Sequence, residues 1–307
     1  MLLLLAAILS TVIILVNGNL ETTPGGEPPG EFPIKGICFQ LRKVSEFGDF
    51  SKLKNEQFRI GVLMTDFRIE AAGVCVAVRA MLKETEKYCK EYICDRTPAF
   101  SVTVTPEDIA FEQEKANREA ILEGLPVQKM PDYLLERTAL QRKITEGLFD
   151  HDVLLFHGSV VAVDGAAYLF TAKSGTGKST HTRFWRETFG DRAVMVNDDK
   201  PFLRITPEGV LVYGSPWNGK HGLGNNICVP LKAICILERG QENQIQEISA
   251  KDALFMLLQQ SNRPMQPRLM PKYLELLDKL SAGVALYRMQ CTMDPMAAQI
   301  AYDAMSK

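Results

Sequence analysis

The sequence predicts an α/β fold with a mixed β-sheet, preceded by a smaller α+β segment. Two observations lead to this prediction. Residues 151–307 alternate short apolar runs with stretches of helical periodicity. Within them, the apolar run 167–171 opens directly into a glycine-rich loop and then a helical pattern, which is the strand–loop–helix order of α/β proteins. The chain therefore divides into residues 1–63, an α+β segment at 64–150, and a core at 151–307.

The segment 64–150 contains patterns that are typical of both strands and helices. Alternating valines predict extended structure over 67–79, charges at helical spacing follow over 81–92, and 100–104 alternates like a strand. Thr105 before a proline and two acidic residues predicts a helix to about 122, and a second helix covers 132–148. We expect this segment to pack against the core rather than fold alone.

The core contains strands, hairpins and helices. Asp164-Gly165 predicts the turn of a hairpin. In chain order the predicted elements are strands at 153–156, 159–163 and 167–171, a helix over Lys178–Phe189, a strand at 193–196, a hairpin over 202–213, a strand at 233–237, helices at 251–260 and 271–280, a strand at 284–287 and a helix at 295–306.

The loop after the third core strand matches a phosphate-binding loop, apart from an alanine in place of the first glycine of Gly-x-x-x-x-Gly-Lys-Ser/Thr. In this motif Lys178 reaches the β- and γ-phosphates of ATP, and the Ser179 hydroxyl binds Mg²⁺. The alternative is a glycine-rich turn at a helix start with a surface lysine. The predicted nucleotide-binding residues are Ala172, Lys173, Ser174, Gly175, Thr176, Gly177, Lys178, Ser179 and Thr180.

An acid pair and a histidine flank this loop in the sequence. Asp198 and Asp199 end a short apolar strand and could hold Mg²⁺ and orient a nucleophile, although Asn-Asp sequences also make turns and helix caps. His157 ends the first core strand, where a purely structural role is the alternative. His181, on the helix after the loop, is given no role.

Residues 214–226 are rich in glycine, proline and asparagine, which favours a shaped loop. Trp217, Lys220 and His221 are its candidate substrate-binding residues. The alternative is a surface connection whose tryptophan fills the core.

Composition excludes some functions. A net charge of −2 gives no basic field for nucleic acid. Seven cysteines, an odd number without a Cys-x-x-Cys pair, favour reduced, buried thiols and a cytoplasmic location.

Residues 2–16 form an apolar run, followed by a linker composition at 22–33. The run is short for a transmembrane helix, and no basic residue precedes it as in a signal peptide. The favoured interpretation is that the natural protein starts at Met64, with a membrane anchor second and secretion last. Peptides from residues 20–54 in native protein, found by mass spectrometry, would exclude the first interpretation.

The order His-Gly-Ser, then Ser-Gly-Thr-Gly-Lys-Ser-Thr, then Asn-Asp-Asp resembles the superfamily of HPr kinase/phosphorylase and phosphoenolpyruvate carboxykinase. More narrowly, residues 214–240 are similar to HPr-kinase-like serine kinases. The resemblance covers about 151–240. It implies an HPr kinase C-terminal/carboxykinase-like core that uses ATP and Mg²⁺, with Asp198 as the base for a serine hydroxyl, Asp199 at the metal, and His157 near the transferred phosphate.

The chain departs from the family at two places. Ala172 replaces a glycine, and the glutamate-containing segment of HPr kinases after the acid pair is missing, so HPr itself is not predicted as the substrate. The leading hypothesis is a kinase acting on a serine hydroxyl of a peptide, protein or small molecule. The alternatives are a carboxykinase-like small-molecule phosphotransferase and a non-catalytic ATP-binding regulator.

Overall fold

The computed structural model describes residues 11–16, 19–24 and 64–307. The chain divides into two compact units, Met1–Leu63 and Met64–Lys307. In the first unit, strand β1 (Thr11–Val16) pairs antiparallel with β2 (Asn19–Pro24). The rest of the predicted apolar run and linker lies outside the described residues. None of the helices that the structure describes has the length and apolar character needed to cross a membrane.

The second unit contains both strands and helices throughout its length. Its strands are β3 (Thr65–Ala71), β4 (Val74–Ala80), β5 (Phe100–Thr103), β6 (Val153–Leu155), β7 (Ser159–Val163), β8 (Ala166–Thr171), β9 (Ala193–Asn197), β10 (Phe202–Thr206), β11 (Gly209–Tyr213), β12 (Cys228–Arg239), β13 (Gln244–Glu247) and β14 (Ala285–Cys291). Its helices are α1 (Lys83–Tyr88), α2 (Pro106–Leu122), α3 (Asp132–Leu148), α4 (Lys178–Phe189), α5 (Ala250–Gln260), α6 (Met270–Gly283) and α7 (Met296–Met305).

Local signals place most of these elements. Helix α2 begins with a capping box, in which the Thr105 hydroxyl accepts from the Asp108 amide and the Asp108 carboxylate accepts from the Thr105 amide. Several details differ from the predictions; for example, β12 (Cys228–Arg239) extends beyond the strand predicted at 233–237. The extended structure predicted over 67–79 is a hairpin, because Ala72 (φ 52°) and Gly73 (φ 80°) turn the chain. Strand β13 was not predicted, since it depends on pairing with β14.

The main sheet has nine strands of mixed direction, so the predicted α/β class with a mixed sheet is confirmed. The long strand β12 is parallel to β8 and β14, and its first residues pair antiparallel with β11. Strand β7 lies between β8 and β9 and is antiparallel to both. The carboxyl ends of β8, β9 and β12 therefore meet at one edge, together with the start of β7.

Helices cover both faces of this sheet. On one face, α4 packs against β7, β8 and β9, and α7 packs against α4 and β14. The core there contains Phe170 and Trp185, both fully buried. On the other face, the core includes residues of α5 and α6, among them Leu276 and Leu280.

The residues before the core share a hydrophobic cluster with it. Strands β3, β4 and β5 form a three-stranded sheet that packs with α3. Ile69 and Ile144 from this part belong to the same cluster as Val153, Phe202 and Trp217 from the core. One continuous interior therefore links 64–150 to the main sheet.

Candidate functional site

The predicted phosphate-binding loop connects β8 to α4 at the sheet edge where the strand ends meet. Gly175 (φ 75°) and Gly177 (φ 124°) adopt conformations that favour glycine, and a Cβ on either would meet no atom within 4 Å. Gly177 is the N-cap of α4 and makes no side-chain cap, and the first turn of α4 has no acidic residue. The amide groups at this helix start can therefore bind an anion.

The alanine that departs from the motif is accommodated by packing. Ala172 is fully buried in the cluster beneath α4, and it is not among the residues with positive φ. A methyl group at this position therefore costs no backbone strain and fills part of the core. The Ala172 carbonyl accepts a hydrogen bond of 3.1 Å from Lys178 Nζ, which holds the lysine against the loop.

The acid pair follows β9, and the preceding Asn197 fixes its position. The fully buried Asn197 accepts from the amides of Asp199 (2.8 Å) and Lys200 (2.7 Å) through Oδ1. Its Nδ2 donates to the Ser215 carbonyl at 3.2 Å and to Asn218 Oδ1 at 3.0 Å. Asn197 therefore connects the acid pair to the loop 214–226.

The two acids face different partners. Asp198 is 7% exposed, and its Oδ1 accepts from the Gly219 amide at 2.7 Å. Asp199 Oδ1 lies 3.3 Å from His157 Nε2. The structure thus brings His157 beside Asp199 and places Asp198 against the loop 214–226.

His157 is fixed by backbone contacts on both sides. Its amide donates to the Gln260 carbonyl at 2.6 Å, and its carbonyl accepts from the Thr171 hydroxyl at 2.9 Å. The next residue, Gly158, donates its amide to the Asp199 carbonyl at 2.9 Å. A Cβ on Gly158 would lie 2.9 Å from Leu169 Cδ2 and 3.1 Å from the Phe170 carbonyl oxygen, so glycine favours this close approach.

The charges at this edge influence one another. Burial raises the pKa of Asp199. The hydrogen bond from His157 and the charges of Lys200, His157 and Lys178 lower this pKa by more than burial raises it, so the net shift is downward. Burial lowers the pKa of Lys178, an effect that the Asp199 charge opposes and Lys200 reinforces. Asp199 is therefore ionised at neutral pH and lies within electrostatic reach of the loop lysine.

The loop 214–226 folds tightly on itself. A Cβ on Gly214 would lie 1.9 Å from the Asn225 carbonyl oxygen, and one on Gly224 would lie 1.9 Å from Asn218 Oδ1. Trp217 is 6% exposed, contacts the ring of Phe202 and donates Nε1 to the Arg137 carbonyl at 3.1 Å.

The structure therefore places Trp217 in the interior, whereas Lys220 and His221 are exposed. His181, which was given no role, is buried, and its Nε2 accepts from Trp185 Nε1 at 3.1 Å. Burial lowers the pKa of His181 to about 4.

A polar cavity of about 160 Å³ opens beside His157. The side chains and backbone of Lys200, Gln260 and Asn262 contribute to its walls. The side-chain oxygen of Gln260 is buried and has no hydrogen-bond partner. This cavity can accept a single polar side chain or a molecule of similar size.

Several residues that shape the site have little or no signal in the sequence. Arg239, at the end of β12, donates Nη2 to the Gly175 carbonyl at 2.7 Å and so contacts the loop from a third strand. The only sequence signal for Arg239 was its place in the Leu-Glu-Arg-Gly run. The supporting role of Asn197 and the bond from Gly219 depend on contacts that are distant along the chain.

The ligand atoms near the loop suit Mg²⁺ better than a metal ion that is coordinated by protein side chains alone. Within 64–307, no group of three or more His, Cys, Asp or Glu side chains could hold a metal ion. Mg²⁺ commonly takes one or two protein oxygens and completes its shell with phosphates and water. Ser179 at the start of α4 and the ionised Asp199 are suitable oxygens of this kind.

The protein thus has an α/β fold, and its candidate site contains a glycine-rich loop between a strand and a helix. No protein-family model matches the chain, and no curated protein matches it. Among solved structures, it is similar to the HPr(Ser) kinase/phosphatase from Coxiella burnetii, with 8% sequence identity and a TM-score of 0.30. The similarity covers 49% of this chain and 95% of that chain, and it is distant and concerns the fold only.

Proposed function

We propose that the second unit is an ATP- and Mg²⁺-dependent phosphotransferase that moves the γ-phosphate of ATP to a serine hydroxyl. The observation that carries this proposal is the convergence, at one sheet edge, of an uncapped helix start, a glycine-rich loop with its lysine, and an ionised carboxylate bonded to histidine. A loop of this kind beside carboxylates is what phosphoryl transfer requires. The carboxykinase-like core suggested by the sequence remains part of this proposal.

Each group has a role that its surroundings support. The loop amides and Lys178 would bind the phosphates, and Lys178 would exchange its bond to the Ala172 carbonyl for phosphate oxygens. Ser179 and Asp199 would hold Mg²⁺, which when bound neutralises charge on the phosphates. His157 would orient the Asp199 carboxylate through the 3.3 Å contact.

Asp198 would act as the base. The bond from the Gly219 amide leaves Asp198 Oδ2 without a hydrogen-bond partner in the described residues, so this oxygen could accept the proton of the serine hydroxyl. As that O–H bond breaks, the oxygen forms its bond to the γ-phosphorus and ADP leaves.

The acceptor would approach through the polar cavity beside His157. Its volume of about 160 Å³ suits one serine side chain or a small hydroxylated molecule better than a folded surface. Lys220 and His221 are exposed and would contact the rest of a peptide acceptor. Trp217 would support the loop from the interior instead of touching the acceptor.

The test is transfer of labelled γ-phosphate from ATP to free serine, serine-containing peptides and small hydroxy acids, with hydrolysis measured in parallel. Lys178→Ala should abolish turnover and weaken nucleotide binding. Asp198→Asn should still bind ATP but lose transfer by roughly 10²–10⁴-fold, as expected for loss of a general base. Asp278→Asn, an exposed acid on α6, is the matched control and should behave like wild type.

Two results would change the assignment. Nucleotide-dependent thermal stabilisation without any turnover would favour the non-catalytic regulator. Transfer to small molecules but to no serine peptide would favour the small-molecule phosphotransferase. If no ATP binding is detected by calorimetry, the phosphotransferase proposal is wrong.

A further inference from the structure

Two cysteines in the α+β part of the second unit lie in direct contact. The Sγ atoms of Cys75 and Cys94 are 3.2 Å apart, with the Cys94 thiol donating to the Cys75 sulfur. The Cys75 thiol in turn donates to the Arg96 carbonyl at 3.1 Å. Neither thiol belongs to the candidate phosphotransfer site.

The backbone fixes both positions. Cys75 lies in β4 opposite Glu70 of β3. Cys94 is held against the other side of β3, because its amide donates to the Arg68 carbonyl at 3.1 Å and Ile93 forms a bridge with Ile69. Both cysteines therefore lie on backbone that is hydrogen-bonded to β3, and their side chains meet at 3.2 Å.

We propose that Cys75 and Cys94 are a redox-active pair that forms a reversible disulfide by exchange with a small disulfide such as oxidised glutathione. The burial of the two thiols suggests the order of the steps. Cys94 is partly exposed, whereas Cys75 is 5% exposed, so the small disulfide reaches Cys94 first. The proposal is independent of the phosphotransferase function.

The exchange has two balanced steps. The Cys94 thiolate attacks oxidised glutathione, which forms a mixed disulfide and releases one glutathione thiolate. The Cys75 thiolate then attacks Cys94 Sγ, which forms the intramolecular bond and releases the second glutathione. Two protein thiols are oxidised and one glutathione disulfide is reduced. Burial raises the pKa of Cys75 to about 11, so the second step should accelerate as pH rises.

The bond would fasten the segment after Cys94 to the β3–β4 hairpin. Arg96 in this segment already pairs with Glu70 and donates to the Gly73 carbonyl at 3.3 Å. A disulfide would add a covalent link across a short loop of chain and so restrict the unfolded state. We expect the oxidised protein to melt at a temperature higher by roughly 5 °C or more.

The experiment is to incubate the folded full-length protein with oxidised glutathione, block the remaining thiols with an alkylating reagent, and map the peptides by mass spectrometry. The expected result is a Cys75–Cys94 linked peptide that dithiothreitol removes, together with the rise in melting temperature. In Cys75→Ser, Cys94 should retain glutathione as a mixed disulfide. The exposed Cys228 serves as the internal control and should carry at most a glutathione adduct.

Two results would overturn the proposal. If Cys75 and Cys94 are both alkylated when the treated protein is unfolded in the reagent, while Cys228 carries glutathione, the pair does not react and the proposal is wrong. A link from Cys94 to any other cysteine also overturns it. Should Cys75→Ser fail to fold, Cys94→Ser provides the second test, since Cys75 should then resist both glutathione and alkylation until the protein is unfolded.

Discussion

Asn197 is the residue whose removal tests most directly how the acid pair is held. Replacing it with alanine leaves the amides of Asp199 and Lys200 without their acceptor, and it removes the donor to Ser215 and Asn218. Each backbone amide left unpaired costs about 1–3 kcal/mol, and the lower end applies because neither residue is fully buried. Adding about 1 kcal/mol for the lost amide donor gives a destabilisation of roughly 3 kcal/mol.

For a unit of this size, that loss corresponds to a fall in melting temperature of roughly 6–12 °C, measurable by calorimetry. Phosphate transfer should fall further than stability alone explains, because Asp198 and Asp199 lose their fixed position. Asn197→Asp separates the two halves of the network: its carboxylate can still accept from the turn amides but cannot donate to the loop 214–226.

Asn226→Ala is the matched control for this test. It removes one exposed bond to the Glu91 carbonyl and should lower the melting temperature little. A melting temperature for Asn197→Ala within about 2 °C of wild type, with full transfer activity, would refute the idea that this buried amide organises the site.

Three further predictions concern the same edge of the sheet. The folded-state pKa of His181, about 4, lies below its ordinary 6.5, so the unfolded chain binds the proton first and stability falls by roughly 3 kcal/mol as pH drops from 6.5 to 4; His181→Gln should remove this part of the slope in denaturant titrations. Gly219→Ala would place a Cβ 3.2 Å from Asp198 Oδ2 and should lower the rate of transfer by about tenfold with little change in ATP affinity, whereas Gly283→Ala, with only a 3.6 Å contact, should not. Ala172→Gly restores the usual motif but removes a buried methyl group, so calorimetry should show a lower melting temperature, by about 2–4 °C, and no gain in ATP affinity.

Local signals explain why the sequence predicted much of the fold. The helix Lys178–Phe189 has the predicted bounds, because a glycine with positive φ ends the loop and a second glycine ends the helix. The start of α2 was likewise encoded in its capping box. The hairpin at Ala72 was missed because a turn through an alanine with positive φ has no strong sequence signal.

Less of the candidate site than of the fold could be predicted from the sequence. The order of the strands decides that residues after β8 and β9 share an edge with His157 and with Arg239. A single sequence without pairing information cannot supply that order. For the same reason the contact between Asn197 and the loop 214–226, and the burial of Trp217, appear only in three dimensions.

The shared interior between 64–150 and the main sheet has a practical consequence. A fragment beginning at His151 would expose Val153, Phe202 and Trp217, which are at most 6% accessible in the whole unit. Such a surface promotes aggregation, so the fragment should be recovered mainly as insoluble material, whereas a fragment beginning at Met64 keeps this cluster covered. The main sheet thus depends for its solubility on a segment that contributes no residue to the glycine-rich loop.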